Sequence, residues 1–559
     1  MHEKFQSRSA TTHGEVWMRS RQGLIRLLSV LALMAGLALM TAAYAVSANR
    51  PQSPVAHTKS VGTFRAVIDT IDYLDTSQAY TAQSLWALWT VYETLVTYRH
   101  VAGAAGYQVV PGLASLPKIS RGGKVYTLTL RKGLKYSNGK PIRAADFKCT
   151  MKRDFLTASP GVGFYDTIVG AKKFETSLKG DIGGIKTKGR TIRITLTSPR
   201  GDFLTILAEP FAALVPCGTA NQDLSANPPP ASGPYKIGPN PDKNRGFSLV
   251  RNKYFKPTKY IPRGTPNRVD VTIVGDADAA VQRVISGQAD YTNAAIPPER
   301  IGTVSNRGQL RLRKSANTYY FWMNTRVYPF NKLKVRQAVN MAIDRSALVK
   351  AVWGGLGVTT ENILPPTYPS YRKLTLYKRN VAKARQLINQ AGAKGADVTV
   401  WGRQVSDSQQ STTLYASYLS AIGLKTTLKF LPRSTYYTTI GNSDTKAQTG
   451  WARWLEDYPH PLDWFDVLLN GRNIVHENNN NFAYYSNAKT NRLIDGLKKP
   501  PALTPAVNKR WANVEKLIMQ QAPWAPWSNR TFPEFFSKNM GCISIQRLYG
   551  IDFMKVCRK

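Results

Sequence analysis

DVTIVGDADAAVQRVISGQADY, residues 270–291, sets the architecture of this chain. Asp270 to Val274 is short, apolar and β-branched, as a strand requires. Gly275 and Asp276 break it, and Ala279, Ala280, Val281 and Val284 then recur at helical spacing before a second strand begins near Ala289. Strand, helix and strand in about 20 residues is the unit of a parallel sheet covered by helices, which places the chain in the α/β class.

The pattern extends on both sides. Upstream, GTFRAVIDTIDYLDTS (62–77) reads as a strand entering a polar loop, and SLWALWTVYETLVTY (84–98) as one buried helix. KVYTLTLRKGLKYSNGKPI (124–142) alternates with period two and carries the turn signal Asn138-Gly139; RAADFKCTMKRDFL (143–156) is helical, and KTKGRTIRITLTSP (186–199) alternates again. ANPPPASGP (226–234) breaks the chain and marks a sub-domain boundary. Downstream come an aromatic strand TYYFWMNT (318–325), an amphipathic helix over KLKVRQAVNMAIDRSALVKAV (332–352), a helix and strand at NVAKARQLINQAGA and ADVTVWG, and late helices at NRLIDGL and NKRWANVEKLIMQQAP. With 559 residues, 43% of them hydrophobic, the expectation is an α/β protein of at least two lobes.

The N-terminus argues for export. Arg19, Arg21 and Arg26 precede the uncharged stretch Leu27 to Asn49, and Ala43-Tyr44-Ala45 has the small-x-small form of a cleavage site. Residues 1–49 therefore read as a signal peptide or, since 23 uncharged residues can also span a bilayer, as a retained signal anchor. Residues 50–61 (RPQSPVAHTKS and Val61) are a linker. All four cysteines, Cys149, Cys217, Cys542 and Cys557, fall in the exported part, where an even count suggests two disulfides. Of three pairings, Cys149–Cys217 with Cys542–Cys557 is the most economical. Seventy-six Lys and Arg against 34 Asp and Glu give +42, distributed along the whole length. That spread disfavours nucleic acid and fits an anionic envelope surface.

The motifs of catalysis and metal binding are absent: no HExxH, CxxC, GxSxG, P-loop or zinc spacing occurs. Ser115-x-x-Lys118 runs through Pro117 into a turn, and the pair Asp69 and Asp72 lies in a loop where turn chemistry accounts for it. Neither a catalytic residue nor a cofactor or metal is expected. The informative feature is WARWLEDYPHPLDWFD (451–466), an acidic island of Glu456, Asp457, Asp463 and Asp466 between aromatic walls. A carboxylate beside indole faces receives an ammonium group well, through a charge-assisted bond and cation–π attraction. Core tryptophans and helix-capping acids would give the same letters.

Taken in order, the motifs resemble the extracytoplasmic solute-binding proteins of family 5, the oligopeptide- and dipeptide-binding components of ABC importers. The resemblance runs from YLDTSQAYTAQSLWALWTVYETLVTY and VVPGLASLPKISRGGKVYTLTLRKGLKYSNGKPIRAADFKCTMKR through SGPYKIG, LVRNKYF, MNTRVYPFNKLKVRQAVNMAIDR and KARQLINQAG. It ends with WLEDYPHPLDWF, FAYYSNAKTNRLID and APWAPW, covering roughly residues 62–530. It implies two α/β lobes joined by hinge strands: lobe I over 62–108 and 231–316 with an extra sub-domain at 109–230, lobe II over 317–520, and a return to lobe I at 521–559. It also implies a monomer that holds a peptide between the lobes and delivers it to a membrane permease, rather than an enzyme. Asp457 would bond the ligand's free α-amine, with Trp454 and Tyr458 in the matching motif positions. The family's chemical breadth leaves a nickel chelate, a sugar or an opine-like solute as alternative ligands, and an exported hydrolase or a structural envelope-binding protein as alternative classes.

Overall fold

The computed structural model describes residues 62–294, 296, 300–305 and 308–559. The export segment and linker lie outside the described residues.

Two lobes share one 12-stranded sheet. In lobe I the first strand, Thr63–Ile68, pairs in parallel with Arg268–Ile273 and with Tyr291–Thr292. The 270–291 segment is thus the expected crossover, with helix Ala277–Ile285 between its strands and Asp276 capping it through Ala279 N at 2.7 Å. In lobe II, Asp397–Arg403 lies parallel to both Lys425–Leu431 and Thr449–Leu455. The 13-residue strand Trp524–Phe536 joins the lobes. Its start pairs with Asn317–Met323 of lobe II, and its end pairs with Leu310–Lys314 and with Tyr291–Thr292 of lobe I. Proline interrupts a sheet ladder, and here Pro526 sits beside the register shift at Tyr319/Tyr320.

Each lobe has its own core. Trp86, Tyr92, Phe147 and Phe203 belong to the first, which lobe I shares with the 109–230 segment. Trp322, Trp451, Trp464, Trp511, Trp524 and Trp527 belong to the second. Within the 109–230 segment four short strands, Lys118–Ser120, Val125–Thr129, Thr191–Thr195 and Ile185–Lys188, form an antiparallel sheet. Helix Ala144–Leu156 packs on it, its first turn closed by Asp146, which accepts from Arg143 N at 2.8 Å. Cys149 of that helix is bonded to Cys217, and Cys542 to Cys557 across the C-terminal hairpin Met540–Gln546 and Gly550–Arg558.

Two helices expected from apolar spacing are shorter in the structure. The first stops at Val91, and Val96–Tyr98 turns into a strand against Val109–Pro111. The run of Val91, Thr94, Val96 and Thr97 is β-branched, and β-branched residues favour the extended chain once a partner strand is available. The segment 332–352 is two helices, Leu333–Ala342 and Arg345–Trp353. Asp344 breaks it by capping the second through Ala347 N at 2.9 Å.

Candidate functional site

The acidic island begins where strand Thr449–Leu455 ends and closes with helix Leu462–Leu469. Its four carboxylates have distinct surroundings. Asp466 is paired with Lys498 Nζ at 2.7 Å. Glu456 is buried and accepts the hydroxyl of Tyr107 from lobe I and that of Tyr368 at 2.8 Å. Burial outweighs those bonds and lifts its pKa to about 7. Asp463 is fully buried; its Oδ2 accepts from Trp454 Nε1 and from the backbone N–H of Asp457, both at 3.1 Å, while Oδ1 has no partner. Burial, and then the charge of Asp457, push it upward.

Asp457 differs from the other three. It keeps part of its surface accessible, and no basic side chain lies within 4 Å among the described residues. Among the described residues its only side-chain hydrogen-bond partner is the hydroxyl of Tyr80, which donates to both oxygens at 2.9 Å from the opposite lobe. Shielding lifts its pKa above the usual carboxylate range, and the Tyr80 bond opposes the rise only in part. Tyr80 itself is 43% exposed.

The loop that carries Tyr80 is built by the pair of acids that the sequence assigned to turn chemistry. Asp72 accepts from Tyr80 N, Thr81 N and Thr81 Oγ1 at 2.8–2.9 Å, and Asp69 holds Gln83 at 2.8 Å. Asp75 fixes the same loop to the 109–230 segment through a buried two-pronged pair with Arg153, at 2.8 and 2.6 Å.

The two aromatic candidates serve Asp457 indirectly. Trp454 is partly buried, and its indole N–H is spent on Asp463. Tyr458 is 1% exposed and donates to Asp202 at 2.8 Å, a third tyrosine–carboxylate contact between the lobes after Tyr107–Glu456 and Tyr80–Asp457. Burial opposes the charge on Asp202, but Arg200 at 2.8 Å holds it below the usual range. His460 beside it is buried and pushed down to about 4, so it stays neutral and accepts from Leu462 N. Sequence reasoning missed Tyr80, Tyr107, Tyr368 and Glu209. Glu209 is a buried lobe I carboxylate with one unpartnered oxygen, raised by burial and by Asp457 and Glu456 nearby. Tyr107, Glu209 and Tyr368 sit in no motif; Tyr80 falls within YLDTSQAYTAQSLWALWTVYETLVTY, where the density of Tyr and Asp in 69–81 was the signal.

Farther along strand Thr449–Leu455 the charge reverses. Arg403 is 5% exposed, lies 4.4 Å over the Trp451 ring, and its Nε has no hydrogen-bond partner. Burial lowers its pKa. Arg453 donates to the Tyr319 hydroxyl at 3.3 Å. No carboxylate lies within 4 Å of either among the described residues. One region can therefore stabilise a cation at Asp457 and an anion near Arg403 and Arg453.

The chain is similar to known proteins over most of its length. Residues 108–475 match the profile of the bacterial extracellular solute-binding proteins, family 5 middle region. The chain is 28% identical over 468 residues to heme-binding protein A of Haemophilus influenzae, covering 78% of this chain and 81% of that protein. It is 27% identical over 469 residues to di/tripeptide-binding protein 1 of Pseudomonas aeruginosa, covering 79% and 84%. Among solved structures, clavulanic acid biosynthesis oligopeptide binding protein 2 superposes with a TM-score of 0.82 at 24% identity, covering 89% of this chain and 96% of that one. On the strength of the profile match and these relatives, the chain belongs to the bacterial extracellular solute-binding proteins of family 5.

Proposed function

We propose that this protein captures a short peptide with a free α-amine between its lobes, outside the cytoplasm, and delivers it to an ABC permease without chemical change. One observation carries the reading: among the described residues Asp457 is the partly accessible carboxylate of the island that has no cationic partner, Asp466 being paired with Lys498, and it is met by a hydroxyl from the opposite lobe. A ligand ammonium placed there replaces a missing charge partner and contacts both lobes at once, which couples binding to closure. The di/tripeptide-binding relative supports the ligand class.

Arg403 and Arg453 suit the ligand's carboxylate. Arg453 is four residues from Asp457, and Arg403 reaches Trp451, six residues away. At ~3.3 Å per residue those separations are at most ~13 and ~20 Å along the strand, which fits a peptide of about three to five residues rather than a single amino acid.

Denaturing the purified protein and analysing the released small molecules by mass spectrometry tests this directly. A peptide should be found, and calorimetry should show that its N-acetylated form binds at least about 100-fold more weakly, because acetylation removes a charge that pairs in a shielded site. Equal affinity for the two forms, or a released ligand with no amine, overturns the proposal.

A further inference from the structure

The four-stranded sheet of the 109–230 segment has one face in the core and one face toward solvent, and the outer face is built almost wholly from basic and hydroxyl residues. Register fixes the arrangement. Lys118 lies opposite Thr127, Thr127 opposite Arg193, and Arg193 opposite Lys186, so one row crosses all four strands. The next row runs Thr129, Thr191, Lys188. Lys118, Lys186, Lys188 and Arg193 are exposed, and among the described residues none has a carboxylate within 4 Å. The inner rows, with Tyr126, Leu128, Ile192 and Ile194, are buried. Adjacent strands lie ~4.8 Å apart and alternate residues ~6.8 Å apart, which puts four cationic side chains in a patch of ~14 by ~7 Å.

This face costs the isolated protein stability. Arg193 and Lys186 are directly opposed like charges, an unfavourable cross-strand pair. A Glu at Thr191 would neutralise its row and one at Thr127 would offset one of the three charges beside it, yet residues 109–200 hold only 5 Asp and Glu against 19 Lys and Arg. The excess is therefore concentrated on a rigid element as well as distributed along the chain. The patch carries no aromatic side chain on which a base could stack, so a single-stranded nucleic acid finds only half of what it needs. A flat anionic surface needs no more than the charges.

We infer that this sheet face docks the protein on anionic lipid headgroups of the membrane, holding the loaded lobes near the bilayer. Charge complementarity is the first argument. Chain length is the second: only 12 residues separate Asn49, the end of the apolar export segment, from Gly62, where the described fold begins. At ~3.5 Å per residue the fold of a chain that retains that segment begins within ~45 Å of the bilayer.

The test is co-sedimentation of the chain, as purified from the envelope, with vesicles of about one-third phosphatidylglycerol and with neutral phosphatidylcholine vesicles. The excess binding to anionic over neutral vesicles isolates this term from any insertion of the N-terminal segment. It should disappear in about 0.5 M salt, where the screening length falls to a few ångströms. Each basic side chain at such a surface contributes roughly a fivefold factor. The variant Lys118→Gln, Lys186→Gln, Lys188→Gln, Arg193→Gln should thus lower the anionic partition at least about 100-fold while its circular dichroism and melting temperature hold or improve. A control with the same charge change on lobe II, Lys373→Gln, Lys378→Gln, Lys394→Gln, Lys425→Gln, should lose less than about tenfold. Equal losses in both variants would assign the effect to net charge and overturn the inference. So would an unchanged anionic preference in the first variant, or salt-sensitive binding to isolated cell-wall polymer without any preference for anionic vesicles.

Discussion

Replacing Asp457 with Asn removes one charge and leaves the shape of the island nearly intact. The Tyr80 hydroxyl can still donate to the Asn carbonyl oxygen, so the 2.9 Å contact between the lobes survives, and the backbone N–H that supports Asp463 is untouched. What is lost is the counter-charge for the ligand ammonium. Leaving one member of a shielded ion pair without its partner costs about 3–5 kcal/mol in typical cases. Asp463 reduces that figure. Burial first and the charge of Asp457 second push its pKa upward, so removing Asp457 lets it ionise more readily, and its Oδ1 has no other partner. It is also set back behind the Asp457 backbone, so it compensates in part. The expected loss is about 2–3 kcal/mol, or roughly 30- to 160-fold in Kd. Asp457→Asn with Asp463→Asn should approach the full penalty.

The assay is calorimetry with the peptide released from the native protein and with its N-acetylated form, on wild type and on Asp457→Asn. If the amine and this carboxylate meet, the two changes are not additive. Acetylation should weaken binding to wild type by about 100-fold or more and binding to Asp457→Asn by much less. A single-variant loss under about threefold, or additive losses around the cycle, would place Asp457 outside the amine contact and refute the reasoning.

Other outcomes follow from the same geometry. Tyr80→Phe keeps the ring but deletes the donor from the opposite lobe; since Tyr80 is 43% exposed, a loss of about three- to tenfold in peptide affinity is expected by calorimetry, below the full value of a bond to a charged group. The closed lobes raise the pKa values of Glu456, Asp457 and Asp463, so closure without ligand takes up protons: small-angle scattering should show the ligand-free protein contracting on acidification from about pH 8 to pH 5, with closure lost as pH rises through about 7. Glu93 is buried with both oxygens unpartnered and is lifted from 4.5 to about 8, so its protonated form supports the fold below about pH 4.5 and that support fades as pH rises toward 8, by about 1.4 kcal/mol per unit; Glu93→Gln should flatten the pH dependence of urea unfolding across that window. Alkylation of the native protein should label none of the four cysteines, with all four reacting after reduction and unfolding.

What the sequence revealed and what it concealed divide along a physical line. The crossover at 270–291 was readable because its signals are local: a β-branched run, a capping Asp276, a helical period and a second strand all fall within about 20 residues. The false extension of the first helix past Val91 failed for the complementary reason. The apolar spacing through Thr97 was compatible with a helix, and only the partner strand Val109–Pro111, which no local rule supplies, made the extended form win. At 332–352 the signal was present, since Asp344 is a strong cap, but an unbroken amphipathic period concealed it.

The site follows the same logic at longer range. Asp457 was legible because aromatic and acidic letters crowd around it in one segment. Its partner was not, because Tyr80 lies 377 positions away and comes to Asp457 only when the lobes meet. The loop that delivers Tyr80 is shaped by Asp72 and clamped by the Asp75–Arg153 pair, so two acids that look like ordinary turn residues decide where the hydroxyl that meets Asp457 ends up. Tyr458 shows the converse. Its place in a binding motif suggested a ligand contact, whereas its hydroxyl is consumed by Asp202, and Arg200 keeps that acceptor charged. A tyrosine donating to a buried carboxylate favours the closed lobes without using a group that the ligand ammonium would take. The Tyr80–Asp457 bond shares its acceptor with the proposed ammonium. Ligand selectivity should therefore respond to Tyr80 and Asp457, and the stability of the closed form to Tyr107, Tyr458 and their acceptors.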